Sequence, residues 1–127
     1  KVPITPNSLV IQVTKPKKDL YKKAELRFHQ MINKGALEEV KSLYENKKIS
    51  KTLFKAHGLP ELLSCVRNKL SLDEAIYLGI KNTKRYIKRQ FTWWNNQKFS
   101  QLNLRINYKK SFPKDSIENI SIYLNEQ

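Results

Sequence analysis

The spacing of apolar residues changes along the chain from short continuous runs to a period near 3.6, and that change marks out its elements. Residues 8–14, SLVIQVT, are β-branched and nearly all apolar, and they lie between Pro6-Asn7 and Lys15-Pro16. Such a run reads as a strand buried in a parallel sheet. From Lys17 to Lys34 the residues Leu20, Ala24, Phe28, Met31 and Ile32 recur at three- and four-residue spacing, and Gly35 stands where a C-cap falls. This predicts a helix packed along one face. Leu37, Val40, Leu43 and Tyr44 form a second, shorter stripe, with Glu38 and Glu39 in its first turn, where carboxylates complement the helix dipole. After a polar connection over residues 46–51, Pro60, Leu62, Leu63 and Val66 predict a third helix ending at Asn68.

Ser71-Leu72-Asp73-Glu74 has the form of a capping box and opens the longest predicted helix, which runs to about Trp94. On a helical wheel, Lys81, Lys84, Arg85, Lys88 and Arg89 fall within an arc of about 140°, and Leu72, Ile76, Gly79, Ile80, Thr83, Ile87 and Trp94 fall on the other side. One face packs and the other is cationic. Gln90 is placed by the wheel among the apolar residues, where an amide needs partners; it is either a structural bridge or a reader of a ligand edge. Arg27 lies at the border of its helix's apolar stripe, so its head either reaches into a cleft or snorkels to solvent. Further on, residues 102–108 alternate as an exposed strand would, and Ile117, Ile120 and Leu124 predict a short terminal helix.

Charge changes the picture. The chain has 127 residues and a formal net charge of +14, which implies a polyanionic partner. Residues 75–114 contain ten Lys or Arg and no Asp or Glu, interleaved with Tyr86, Phe91, Trp93, Trp94, Phe99 and Tyr108. Phosphate partners and stacking surfaces therefore coincide, which favours nucleic acid over a merely solvated face. The length bounds the chain at one domain or a piece of one, and its opening at Lys1 is the expected mark of a fragment. Cys65 is the single cysteine, excluding a disulfide framework, and reads as a small buried hydrophobe. No apolar run approaches the roughly 20 residues of a membrane span. With glycine only at positions 35, 58 and 79, no phosphate-cradling loop of the GxxxxGK type is present, and His29 and His57 stand without a cysteine pair to hold zinc. The residues Lys55-Ala56-His57-Gly58-Leu59 before the third helix form a loop able to offer backbone amides to a phosphate.

Three stretches together resemble the C-terminal half of the bacterial tRNA dimethylallyltransferase family: Arg27-Phe28-His29-Gln30-Met31 followed by residues 35–40, then residues 56–62, AHGLPEL, then residues 82–93, NTKRYIKRQFTW. The likeness covers about residues 8–97, and the KRQ-x-TW ending is its most specific part. It implies an α/β parent of P-loop kinase-like fold with a helical insertion. This chain would be the mainly α-helical C-terminal portion of that single catalytic domain, with one core strand and a C-terminal strand; residues 98–127 stay unassigned. It also implies transfer of a dimethylallyl group from dimethylallyl diphosphate to N6 of the adenosine 3′ of the tRNA anticodon, assisted by Mg2+ held outside this chain.

Residue by residue, the resemblance gives Arg27 a catalytic place facing the pyrophosphate, a role that suits a guanidinium fork. It gives Lys55, Ala56, His57, Gly58, Leu59 and Pro60 a tRNA-contacting loop. A second tRNA-contacting stretch comprises Ile87, Lys88, Arg89, Gln90, Phe91, Thr92 and Trp93, extended here to Trp94. The partners it implies are the tRNA anticodon stem-loop and dimethylallyl diphosphate, with no membrane, in a cytoplasmic enzyme that is a monomer when intact. The family's P-loop, its base aspartate and its magnesium-holding Ser or Thr belong to the N-terminal half absent here, so this polypeptide alone is expected to be inactive. Two other readings compete: a self-contained basic helical module that binds RNA or DNA without enzymology, and the related branch that prenylates free adenylate. The strand at residues 8–14 argues against the first, because a lone buried strand needs a sheet; the KRQ-x-TW ending argues against the second.

Overall fold

A computed structural model describes residues 10–97, 103–107 and 114–126 of the chain. In order these form β1 (Val10–Thr14), α1 (Lys17–Asn33), α2 (Ala36–Glu45), a single 3₁₀ turn (Leu53–Lys55), α3 (Leu59–Val66), α4 (Leu72–Asn95), β2 (Asn103–Asn107) and α5 (Lys114–Asn125). The chain is mainly helical with one strand near each end, as the sequence predicts, but the expected burial of the first strand is not met where exposure is described, since Val13 is 57% exposed. The predicted elements recur with ends shifted by one to three residues, and the 3₁₀ turn is an addition inside what reads as a polar connection. Residues 8, 9, 102 and 108 of the predicted strands lie outside the described residues.

Two compact units divide the chain, one of residues 17–92 and the other of residues 1–16 and 93–127, with the boundary inside α4. In the second unit β1 and β2 pair in parallel, Val10 opposite Asn103 through Thr14 opposite Asn107. Parallel neighbours require a long crossover connection, and here α1 to α4 all lie between the two strands in sequence. The described part of the strand expected at residues 102–108, β2, is the hydrogen-bonded partner of β1.

In the helical unit each boundary has a local cause. Gly35 takes a φ of 95°, in the left-handed region, and its N–H donates to the Ile32 carbonyl at 3.0 Å, which stops α1 and lets α2 start at the next residue. The capping box at Ser71 forms in full: the Glu74 N–H donates to Ser71 Oγ at 3.2 Å and the Ser71 N–H donates to Glu74 Oε2 at 2.8 Å. Those bonds hold the Glu74 carboxyl below its ordinary value, the Ser71 backbone bond being the larger cause.

Val40, Leu59, Leu62, Leu63 and Ala75 form the buried core, with Ile32, Leu37, Ile49, Val66 and Leu72 packed around it. Removing about 25 cal/mol per Å² of apolar surface from water is what holds these short helices together. Cys65 packs beside this core as a half-buried free thiol, less enclosed than the sequence implies. Among the described residues no helix is long and apolar enough to cross a membrane.

Candidate functional site

α1 and α4 lie antiparallel, as three contacts spaced along them show. Lys17 Nζ stands 5.9 Å from the Phe91 ring centroid, Lys84 Nζ donates to Glu25 Oε2 at 2.9 Å, and the Phe28 ring meets α4 at Gly79. The Phe28 contact is possible only because two glycines make room. A Cβ on Gly79 would stand 2.5 Å from Phe28 Cε2, and one on Gly58 would stand 2.8 Å from the same atom. Gly58 also adopts a φ of 90°, which L side chains rarely take. Phe28, 4% exposed, is therefore a wedge between α1, α4 and the turn before α3.

Beside this wedge a cleft of about 610 Å³ opens. Lys23, Arg27 and Met31 of α1 form one wall, Ala56 and His57 of the turn form its end, and Thr83, Tyr86, Ile87 and Gln90 of α4 form the other wall. The His57 and Tyr86 rings are 4.6 Å apart and tilted by 55°. Gln90 Nε2 donates to Tyr86 Oη at 2.9 Å, and Thr83 Oγ1 donates to the Gly79 carbonyl at 2.8 Å. One wall thus carries two cations a helical turn apart, the other an aromatic ring bonded to an amide, and no carboxylate is among the described lining residues. Such a cleft suits an anion on one side and a flat polar heterocycle on the other.

The three sequence stretches meet at this cleft, but only in part. Arg27, exposed, reaches the cleft wall from its place at the border of the apolar stripe. In the loop, Ala56 and His57 line the cleft, Gly58 is buried under Phe28, and Leu59, 7% exposed, belongs to the core. Pro60 sits in the first turn of α3, and Lys55 faces a different groove. Ile87 and Gln90 line the cleft, whereas Lys88 and Arg89 are exposed. Phe91 is half-buried beside Lys17, and Thr92 Oγ1 donates to the Lys88 carbonyl at 3.0 Å. Trp93 and Trp94 pack edge to face at 5.0 Å and are 54% and 47% exposed.

Two expectations for α4 need correction. Gln90 is exposed and tied to Tyr86 rather than enclosed among apolar residues, and Trp94 does not lie on a buried face. The wheel orders the faces correctly, but the buried residues of α4 are Ala75, Gly79 and Ile80. Past that point the same face opens into the cleft.

Of the cleft residues, Lys23 goes unnamed in the sequence reading, Tyr86 appears there only as one of the interleaved aromatics, and Thr83 only on the packing face of the wheel. The available signal was spacing, since Thr83, Tyr86 and Gln90 follow Gly79 at four-, three- and four-residue steps and so share its face. The cationic flank is as expected: Lys81, Arg85, Lys88 and Arg89 are polar positions turned away from the core, and Lys81, Lys88 and Arg89 line no part of its packing. Lys84 is partly covered by its bond to Glu25, which holds that carboxyl below its ordinary value.

The IPP transferase family model matches residues 2–97. A tRNA dimethylallyltransferase of Ehrlichia canis is 43% identical over 96 residues, covering 75% of this chain and 32% of that protein. One of a Wolbachia pipientis strain from Culex pipiens is 38% identical over 96 residues, with the same coverage. The chain spans about a third of the length of the curated relatives it matches. Among solved structures, the full-length tRNA isopentenylpyrophosphate transferase of Bacillus halodurans superimposes on 94% of this chain and 39% of its own, with a TM-score of 0.72 and 26% identity. The corresponding transferase of Staphylococcus epidermidis covers 94% of this chain and 38% of its own at a TM-score of 0.70; at 23% identity it supports the fold alone.

Proposed function

We propose, since this chain belongs to the IPP transferase family, that it is the C-terminal portion of the catalytic domain of a tRNA dimethylallyltransferase. It supplies one wall of the active site and part of the grip on tRNA. The observation that carries this reading is the convergence of Arg27, His57 and Gln90, from three separate stretches, on one cleft. The reaction joins the exocyclic N6 of the adenosine 3′ of the anticodon to the allylic carbon of dimethylallyl diphosphate. The C–O bond to the diphosphate breaks as the N–C bond forms, pyrophosphate leaves with the bonding pair, and one N6 proton passes to a base outside this chain.

Charge that accumulates on the leaving oxygen is best met by a fixed cation, and Arg27, with Lys23 one turn before it, is placed for that. The Tyr86 ring and the Gln90 amide on the facing wall suit an adenine taken out of its stack. Lys81, Arg85, Lys88 and Arg89, on the outer flank of α4, suit the backbone phosphates of the anticodon stem-loop. The family resemblance assigns the expected Mg2+ to the N-terminal half of the protein. Membership of an enzyme family favours this reading over a stand-alone binding module. The intact protein is read as a cytoplasmic monomer.

The test is Arg27→Ala in the full-length protein. With a clamp on the leaving group, kcat for dimethylallyl transfer to an anticodon stem-loop falls by about 10²- to 10³-fold while RNA affinity changes little. Equal losses in kcat and affinity would remove Arg27 from the chemistry.

A further inference from the structure

Lys55 is separated from its neighbours Ala56 and His57: they line the cleft, and it lines a groove of about 510 Å³ on the α2–α3 side of the helical unit. The floor of that groove is apolar, from Ile49 and Leu63, and its rim carries Lys47, Lys51, Lys55 and Arg67 with no carboxylate among the described lining residues. Two aromatic rings stand in it, Tyr44 at 42% and Phe54 at 45% exposure. The Arg67 guanidinium lies 5.1 Å from the Tyr44 ring centroid. The backbone bearing Phe54 is held in place: the Leu53 N–H donates to Ser50 Oγ at 3.1 Å and the Phe54 N–H to the Ser50 carbonyl at 2.9 Å. A backbone already ordered loses little freedom when a partner arrives.

Four cations around exposed aromatic rings over an apolar floor is the arrangement by which proteins hold single-stranded nucleic acid, phosphates on the rim and a base against a ring. Lysine is depleted at protein–protein interfaces, which makes this rim a poor match for a folded protein partner. Lys55 in the groove and His57 at the end of the cleft are two residues apart. A strand that enters both would cross this short segment.

We infer that the Tyr44–Phe54 groove is a second RNA-binding subsite, which takes an unpaired nucleotide flanking the one in the cleft, with its base on Phe54 and its phosphates on Lys47, Lys51 and Lys55. The inference rests on the tRNA reading above, but none of the residues that reading uses for chemistry lies in the groove.

The test uses the full-length protein and a transcript of the anticodon stem-loop. With the photo-crosslinking residue p-benzoylphenylalanine in place of Phe54, irradiation is expected to join position 54 to the RNA. The double variant Lys47→Ala with Lys51→Ala is expected to weaken RNA binding several-fold and to flatten the slope of log affinity against log salt by about 0.7 for each phosphate no longer engaged. A crosslink from position 54 to the protein's own chain, or an unchanged salt slope in the double variant, overturns the inference while the wild type still binds and modifies the hairpin. A wild-type protein that does not bind the hairpin removes the tRNA reading and this inference with it.

Discussion

The two flanks of α4 are built from the same pair of helices by opposite means. On the cleft side, order comes from a packed wedge, Phe28 between two glycines, with side-chain contacts above it, His57 against Tyr86 and Gln90 bonded to Tyr86. On the outer side Lys81 and Arg89 stand in solvent, and Lys84 makes the one ion pair found among the described residues. Shape is hard to alter in a packed interior, whereas a single charge on a solvated surface can be changed at little cost in stability. A site for placing one base and one leaving group needs the first kind of construction. A surface that tracks a phosphate backbone needs only the second. Substitutions on the cleft flank should accordingly be felt in folding, and those on the outer flank in salt-dependent binding.

The largest effect is expected at the wedge. Phe28→Ala removes a buried ring shared by three elements and should cost about 3–5 kcal/mol of unfolding free energy, read by denaturant titration of the full-length protein. Gly79→Ala is the more telling experiment. In an exposed helix the change would stabilise by about 1 kcal/mol, but here the new Cβ meets Phe28 and the expected outcome is a loss of about 1–3 kcal/mol. In a Phe28→Leu background most of that loss should disappear; additive losses would show that Phe28 is not what Gly79 accommodates. On the other flank, Lys88→Ala or Arg89→Ala should leave stability within about 0.5 kcal/mol. Each should flatten the salt dependence of anticodon stem-loop binding by about one unit for each phosphate released. A slope equal to wild type in both variants would leave the outer flank without a role in binding, and the division between the flanks would fail.

This division was half legible in the sequence. The wheel found the cationic arc from Lys81 to Arg89 because charge and period are local properties, and the capping box at Ser71 and the stop at Gly35 were readable for the same reason. The wedge was not, since nothing in the spacing of Phe28, Gly58 and Gly79 says that one ring would lie against both glycines. Gly58 read as an offer to a phosphate, yet its buried position beneath Phe28 explains its lack of a side chain without any ligand. Gln90 and Trp94 were misplaced because a wheel records which face is apolar and not how far along the helix that face has a cover. The pairing of β1 with β2 was likewise hidden, because parallel partners are chosen by tertiary structure across a long connection. The cleft as a set of residues became predictable only through the family resemblance, which tied Arg27, His57 and Gln90 together before any geometry did.

The smallest effect is expected where the flanks differ least, at Lys84 and Glu25. The bond from Lys84 holds the Glu25 carboxyl below its ordinary value of 4.5, with the charge of Lys84 adding to it. A group depressed on folding stabilises the native state above its unfolded pKa, and the contribution is lost as the pH falls through the folded value. Glu25→Gln should therefore lower the melting temperature slightly at pH 7, with the difference from wild type shrinking below about pH 4.5 and vanishing once both proteins carry a neutral side chain. Both partners are partly exposed, so the shift at pH 7 should be far smaller than that of Gly79→Ala and should fade in high salt. The variant also releases Lys84 from its carboxylate, adding a cation to the stripe. RNA binding at low salt should tighten slightly as stability falls, a pairing of opposite signs that no substitution on the cleft flank should produce. Weaker binding by Glu25→Gln would mean that the ion pair positions the lysine for RNA, and that the outer flank, too, depends on fixed geometry.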